Sequence, residues 1–248
     1  MKISKKKHLE MILEKIPKHP NPKVELEQYS TPAVIASDLI WNAYGMGDIR
    51  DLNVLDLGCG TGILASASSL MGAKFSLGLD IDRESVDLAR KSFFDLINEN
   101  KLSHMDVANT NFIVGDINSY NSISDLLNDS DDKTLLNLNS LIGFNGTDFG
   151  NASFKFDTLI QNPPFGSQER GKRHADRKFI DFALNSAEII YSFHMASAEE
   201  YIIDYVRNLG ADVSHKLVYK FPIPKIYDFH TDEQRMVKVV VLRIENFE

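Results

Sequence analysis

The chain has 248 residues, 43% of them apolar and 25% charged, a composition that excludes disordered and fibrous proteins and leaves room for one large α/β domain or two small ones. Lys and Arg number 27 against 35 Asp and Glu, a formal charge of -8, so a nucleic-acid site has to be a local basic patch on an acidic body. The single cysteine, Cys59, excludes an internal disulfide and a multi-cysteine zinc site, and no run reaches the roughly 18 apolar residues of a membrane span; a reducing, cytoplasmic setting and an unprocessed N-terminus are expected.

Leu9, Ile12, Leu13 and Ile16 recur at helical spacing, and the prolines from Pro17 to Pro22 then force the chain out of the helix. This predicts an N-terminal helix and strap over residues 1–30. Ser30-Thr31-Pro32 reads as a helix start, with Thr31 as N-cap and Pro32 in the first turn, for a helix over 31–44. Asn53-Val54-Leu55-Asp56-Leu57 is a short strand that runs into Gly58-Cys59-Gly60-Thr61-Gly62, after which Ile63 to Met71 is helical. Lys74 to Asp80 predicts a second strand, Glu84 to Asn98 a helix, and Asn111 to Gly115 a third strand. The alternation predicts a parallel sheet with helices on both faces.

From Asn118 to Asn151 the chain is dominated by Asn, Asp and Ser, too polar for a long core element, and reads as a polar surface insertion with short helical pieces at Ile123–Leu127 and Leu135–Ile142. Phe156 to Ile160 returns to strand and runs into Gln161-Asn162-Pro163-Pro164-Phe165-Gly166. Helices are expected at 176–194 and 198–209. His215–Phe221 and Val237–Ile244 then read as an antiparallel strand pair.

A glycine turn between strand and helix lets a ligand approach the backbone closely, although glycines also close ordinary turns of this kind. Asp80 ends the next strand, where its carboxylate can accept both hydrogen bonds of a ribose diol. Asp56 places a second carboxylate two residues before Gly58, able to receive a ligand ammonium or to hold the turn's amides. A dinucleotide turn has the spacing Gly-x-Gly-x-x-Gly and leaves its amides for a pyrophosphate. Here the spacing is Gly-x-Gly-x-Gly, and Asp56 would repel phosphate while attracting a sulfonium amino acid. S-adenosylmethionine therefore fits better than NAD. Asp116, at the end of the third strand, can reach the adenine amino group of the same cofactor with Ile117 offering an amide; a plain turn residue is the alternative.

Asn162-Pro163-Pro164-Phe165 follows a sheet strand at the edge where open α/β sheets bind ligands. The two prolines stiffen the segment and leave its carbonyls as acceptors. The Asn162 carbonyl and the Pro163 backbone carbonyl can each take one hydrogen of an exocyclic amine, drawing the nitrogen pyramidal and exposing its lone pair. Phe165 can stack on the flat ring that carries the amine. Arg170, Lys172, Arg173, Arg177 and Lys178 form the densest basic stretch in the chain, suited to RNA phosphates or to a solvated loop. The seven histidines show no metal-ligand spacing, so no metal is expected.

These residues resemble the class I methyltransferases, and more closely the small RNA adenine-N6 enzymes of the methyltransferase-like protein five type. The matching pieces are Glu27-Gln28-Tyr29-Ser30-Thr31, Asp56 to Gly62, Gly78 to Asp82, Gly115-Asp116-Ile117 and Asn162 to Gly166, with Tyr191-Ser192, His194 and Tyr227 to His230 as further segments. The resemblance implies a Rossmann-like fold in one domain over 1–248, a seven-stranded, mostly parallel sheet with helices on both faces and an antiparallel C-terminal pair. It implies S-adenosylmethionine as cofactor, with Gln28 and Thr31 closing over it and Gly58, Thr61, Ile63, Asp80, Asp116 and Ile117 lining it. It implies catalysis by Asn162, Pro163, Pro164 and Phe165 on one adenosine of small-subunit ribosomal RNA, and a small zinc-binding activator subunit as partner in eukaryotic members. Guanine N2, a protein glutamine, and a cofactor-binding scaffold of ribosome assembly without turnover are the competing functions. The 118–151 stretch departs from the family pattern.

Overall fold

The short apolar run before the glycines is the centre of the sheet. The computed structural model describes residues 3–23, 26–100, 109–129, 154–165, 175–224 and 234–247. In it Asn53–Leu57 forms β1, paired in parallel with β2 (Phe75–Asp80) on one side and β4 (Phe156–Gln161) on the other. β3 (Asn109–Val114) extends the sheet beyond β2, and β5 (Ala187–Met195) extends it beyond β4. The C-terminal pair, β6 (Ala211–Pro224) and β7 (Gln234–Asn246), is antiparallel, and β7 inserts antiparallel between β5 and β6. The order is β3-β2-β1-β4-β5-β7-β6, the mostly parallel Rossmann-like sheet of seven strands expected above.

Strands β1, β2 and β4 are buried along almost their whole length, as a parallel sheet covered on both faces requires. One face packs α1 (Lys6–Leu13), α2 (Ala33–Met46), α3 (Ile63–Leu70) and α4 (Arg83–Glu99) through residues such as Leu9, Leu39, Ala65 and Phe93. The other packs α5 (Ile123–Asp129), α6 (Ala175–Leu184) and α7 (Glu199–Asn208) through Leu126, Ile180 and Val206. The chain leaves β1 toward β2 and β3, then returns to the opposite side of β1 with β4. This reversal puts a ligand crevice outside the carboxyl ends of β1 and β4, where the glycine turn and the Asn-Pro-Pro segment both begin.

Three expectations need correction. The helix expected over 176–194 stops at Leu184, and Ala187–Met195 is strand. Ile180, Ala183, Leu184, Ala187 and Ile190 are all buried, so apolar spacing compatible with a helix runs on across the break and hides it. Thr31 is not a helix cap: α2 begins at Ala33, with the Pro32 carbonyl accepting the amides of Ile35 and Ala36, and no side chain caps it. The start of the polar stretch is built into the fold, because Ile123 and Leu126 are buried and the Ile123 amide donates to Ser186 Oγ at 2.9 Å. The helical piece expected at Leu135–Ile142 lies outside the described residues. Among the described residues no helix is long and apolar enough to cross a membrane.

Candidate active site

The turn after β1 is held open by three left-handed glycines, Gly58 at φ 71°, Gly60 at 52° and Gly62 at 80°, a conformation costly for any residue with a Cβ. The amides of Gly58 and Cys59 both donate to the Leu79 carbonyl at 2.8 and 3.0 Å, which fastens the turn to β2. The glycines differ in what surrounds them. A Cβ on Gly62 would lie 2.6 Å from the Phe112 ring, whereas one on Gly60 would meet nothing within 4 Å. Gly62 allows close packing of α3 on the sheet, and Gly60 faces free space. A Cβ on Gly58 would touch Phe179 of α6 at 3.5 Å, a neighbour that no local sequence signal revealed. Thr61 is buried and Ile63, the first residue of α3, is half-buried.

Two carboxylates hold this turn. Asp80 ends β2 and accepts the Gly60 amide at 2.8 Å on one oxygen and the Asp82 amide at 2.9 Å on the other. Burial raises its pKa, and these two amides oppose the rise. Each oxygen keeps a further lone pair, so the group is oriented but not exhausted. Asp56 accepts the Ala65 amide at 2.8 Å in the first turn of α3, satisfying a helix-end donor. Its other oxygen is buried and finds no partner among the described residues, and burial pushes the carboxyl up to about 7. At the end of β3, Asp116 takes the Asn118 amide at 2.9 Å and the Asn118 side chain at 2.8 Å on one oxygen, an Asx-type turn. Ile117 beside it is buried.

Leu57 and Gln161 are register partners at the ends of β1 and β4, so Gly58 and Asn162 leave the sheet side by side. The Asn162 amide nitrogen donates to Thr31 Oγ1 at 3.0 Å. Its carbonyl oxygen is shielded from solvent and has no partner among the described residues, a costly state for an acceptor unless a ligand completes it. Pro163 is buried and Pro164 half-buried. Phe165 packs edge-on against Phe221 of β6, with centroids 5.8 Å apart.

Gln28 reaches the same edge from the strap, donating to Asp82 at 2.9 Å and accepting the Lys23 amide at 2.7 Å. Asp82 also receives Lys23 Nζ at 2.6 Å and Ser85 Oγ at 2.9 Å, with His19 Nε2 at 3.4 Å. Burial alone would raise this carboxyl, but the bonds from Lys23, Gln28 and Ser85 outweigh it and hold the group well below the usual carboxylate range. The importance of Asp82, Lys23 and His19 was not apparent from local pattern, because their contacts join distant stretches. Arg177 lies over the rings of Tyr201 and Tyr205 at 5.4 and 5.2 Å, and Lys178 donates to the Tyr120 carbonyl at 2.9 Å. Arg170, Lys172 and Arg173, like Tyr227 to His230, lie outside the described residues.

Known proteins share this framework. Residues 41–121 match a family model described as ribosomal protein L11 methyltransferase (PrmA). The chain is 38% identical over 241 residues to the uncharacterized protein MJ0284 of Methanocaldococcus jannaschii, covering 97% of this chain and 94% of that one. It superposes with a TM-score of 0.73, at 31% identity and over 98% of both chains, on the crystal structure of PH1948 from Pyrococcus horikoshii, described as a candidate RNA methyltransferase. The chain belongs to the class I S-adenosylmethionine-dependent methyltransferases. It is also 28% identical over 243 residues to the rRNA N(6)-adenosine-methyltransferase Mettl5 of Drosophila melanogaster, covering 97% of this methyltransferase and 96% of that one. The PrmA match contains the glycine turn, Asp80 and Asp116 but ends before Asn162, so it bears on the cofactor half of the methyltransferase and not on the acceptor half.

Proposed function

We propose that this methyltransferase modifies N6 of an adenosine in RNA, with small-subunit ribosomal RNA as substrate. The observation that carries the reading is the desolvated carbonyl oxygen of Asn162, which has no partner among the described residues, while its amide nitrogen is engaged by Thr31. The full-length likeness to an rRNA adenosine-N6 enzyme supports the choice of base. The L11 methyltransferase match does not extend to the acceptor segment, so it does not favour a protein acceptor.

The residues present fit S-adenosylmethionine. Asp80, fixed by two amides, would take the ribose diol; the second carboxylate oxygen of Asp116 and the Ile117 amide would meet the adenine. Gly58, Gly60, Thr61, Gly62 and Ile63 would line the cofactor, with Gln28 closing the strap over it. When bound, the cofactor supplies an electrophilic methyl group on a sulfonium sulfur. Asn162 Oδ1 and the Pro163 carbonyl accept the two hydrogens of the adenine amine, which pulls its lone pair out of the ring and stabilises positive charge as the new N–C bond forms. The methylated nitrogen, acidic while cationic, releases one of those protons to solvent. Phe165, steadied by Phe221, covers the ring face. The basic run from Arg170 to Lys178 contacts RNA phosphates.

The test is a nucleoside digest of ribosomal RNA incubated with the protein and labelled cofactor. Label in N6-methyladenosine is expected, and label confined to guanosine or to protein overturns the reading. Asn162→Ala should lower the rate by roughly 100-fold or more while cofactor affinity stays within a few fold, because the lost acceptor acts in the transition state.

A further inference from the structure

One short stretch of the strap touches both halves of the site. At residue 28 it is tied to Asp82, the residue whose amide orients Asp80. At residue 31 it is tied to Asn162. Between Lys23 and Thr31 the strap carries a strained residue, Glu27, at φ 46° with a tight Tyr29 amide to Glu27 carbonyl contact of 2.7 Å. A non-glycine residue is held in that region only where its surroundings over-determine it. Bonds of Lys23 and Gln28 to a buried Asp82 anchor the strap on either side of Glu27.

The chemistry at Asn162 depends on which end of the amide faces the amine. An asparagine presents an acceptor or two donors according to a half-turn of its side chain, and only the acceptor can draw the amine pyramidal. We propose that Thr31 is a positioning residue for methyl transfer: its hydroxyl oxygen captures the Asn162 NH2 and so turns the carbonyl oxygen toward the incoming amine. We infer further that the Lys23–Gln28–Asp82 latch holds Thr31 in place, coupling strap closure at the cofactor turn to acceptor geometry. The resemblance implies that Thr31 closes over the cofactor; the geometry instead commits its hydroxyl oxygen to Asn162. Thr31 is buried and does not cap α2, so its hydroxyl is not committed to holding the helix.

This inference rests on the proposed role of Asn162, and its test separates the two. Thr31→Val keeps the shape of the side chain and removes the hydroxyl. It should lower kcat by about tenfold to a hundredfold, the scale of losing a well-aligned reacting geometry, with cofactor Kd within about threefold by titration calorimetry. Thr31→Ser should restore kcat to within a few fold. Gln28→Ala should weaken cofactor binding and lower kcat together, and the double variant Gln28→Ala/Thr31→Val should lose less than the product of the single losses, because both act through one segment. Full activity in Thr31→Val alongside an inactive Asn162→Ala overturns the positioning role and leaves the reaction intact. Full activity in both overturns the reaction as well. Single losses that multiply independently overturn the coupling.

Discussion

At the scale of single residues, two buried titratable groups work against each other as pH changes. Burial pushes Asp56 up to about 7 and His194 down to about 3. His194 is enclosed with both ring nitrogens unpartnered among the described residues. A raised carboxyl holds a proton that the unfolded chain gives up, so its contribution is full below about pH 4 and is lost as pH rises toward 7. A depressed histidine gives the opposite slope: its contribution is full above about pH 6.5 and is lost as pH falls toward 3. Each shift of about three units is worth on the order of 4 kcal/mol, so across about pH 4 to 6.5 the two slopes largely offset. Asp56→Asn removes one of them. Its unfolding free energy in urea, measured without cofactor, should therefore climb with pH between about 4.5 and 6.5 more steeply than that of the parent. Equal slopes in the two proteins would mean that Asp56 is already ionised across that range.

At the scale of elements, the glycine turn was legible because its signal is local: a strand of five residues, three glycines at alternate positions, and a helix. The distinct work of each glycine was not legible, since it depends on Phe112, which arrives from β3, and on the open space beside Gly60. The two sites should separate experimentally. Gly62→Ala forces a Cβ to within 2.6 Å of the Phe112 ring at φ 80° and should cost well above the 1–2 kcal/mol of left-handed strain alone, about 3 kcal/mol in a urea melt. Gly60→Ala meets only the strain, about 1 kcal/mol, and its main effect should be a loss of cofactor affinity read by calorimetry. An unchanged affinity in Gly60→Ala would remove that face of the turn from the cofactor site. The misread at β5 has the reverse cause. Its buried Ala187 and Ile190 continue the helix-compatible spacing of Ile180, Ala183 and Leu184, so no local signal marks where the helix ends and the strand begins.

At the scale of the whole molecule, the pieces of the site were readable and their connections were not. Asp56, Gly58 to Gly62, Asp80 and Asn162 each sit in a short motif at the end of a strand, whereas the Thr31–Asn162 bond spans 131 residues of chain and the Lys23–Asp82 bond spans 59. A sequence shows no register between such distant stretches until the sheet order brings them together. The same limit hid the tie that secures the antiparallel strand. Arg243 of β7 makes a two-pronged pair with Asp48 at 2.8 and 3.0 Å, and Tyr191 of β5 donates to the same carboxylate at 2.5 Å. Asp48 lies just beyond α2, so one buried carboxylate joins the helix that follows the strap to the two strands flanking the parallel-to-antiparallel change. Removing it strands a buried guanidinium, although Ser214 and Glu245 still touch that group. Asp48→Ala should thus destabilise by about 3 kcal/mol, the lower end of the cost of breaking a buried pair. The double replacement Asp48→Ala/Arg243→Met should recover part of that loss, because it removes the buried guanidinium and leaves only the partly exposed Glu245 without its partner. A single variant as stable as the parent in urea would show that the tie contributes nothing to holding β7 in the sheet.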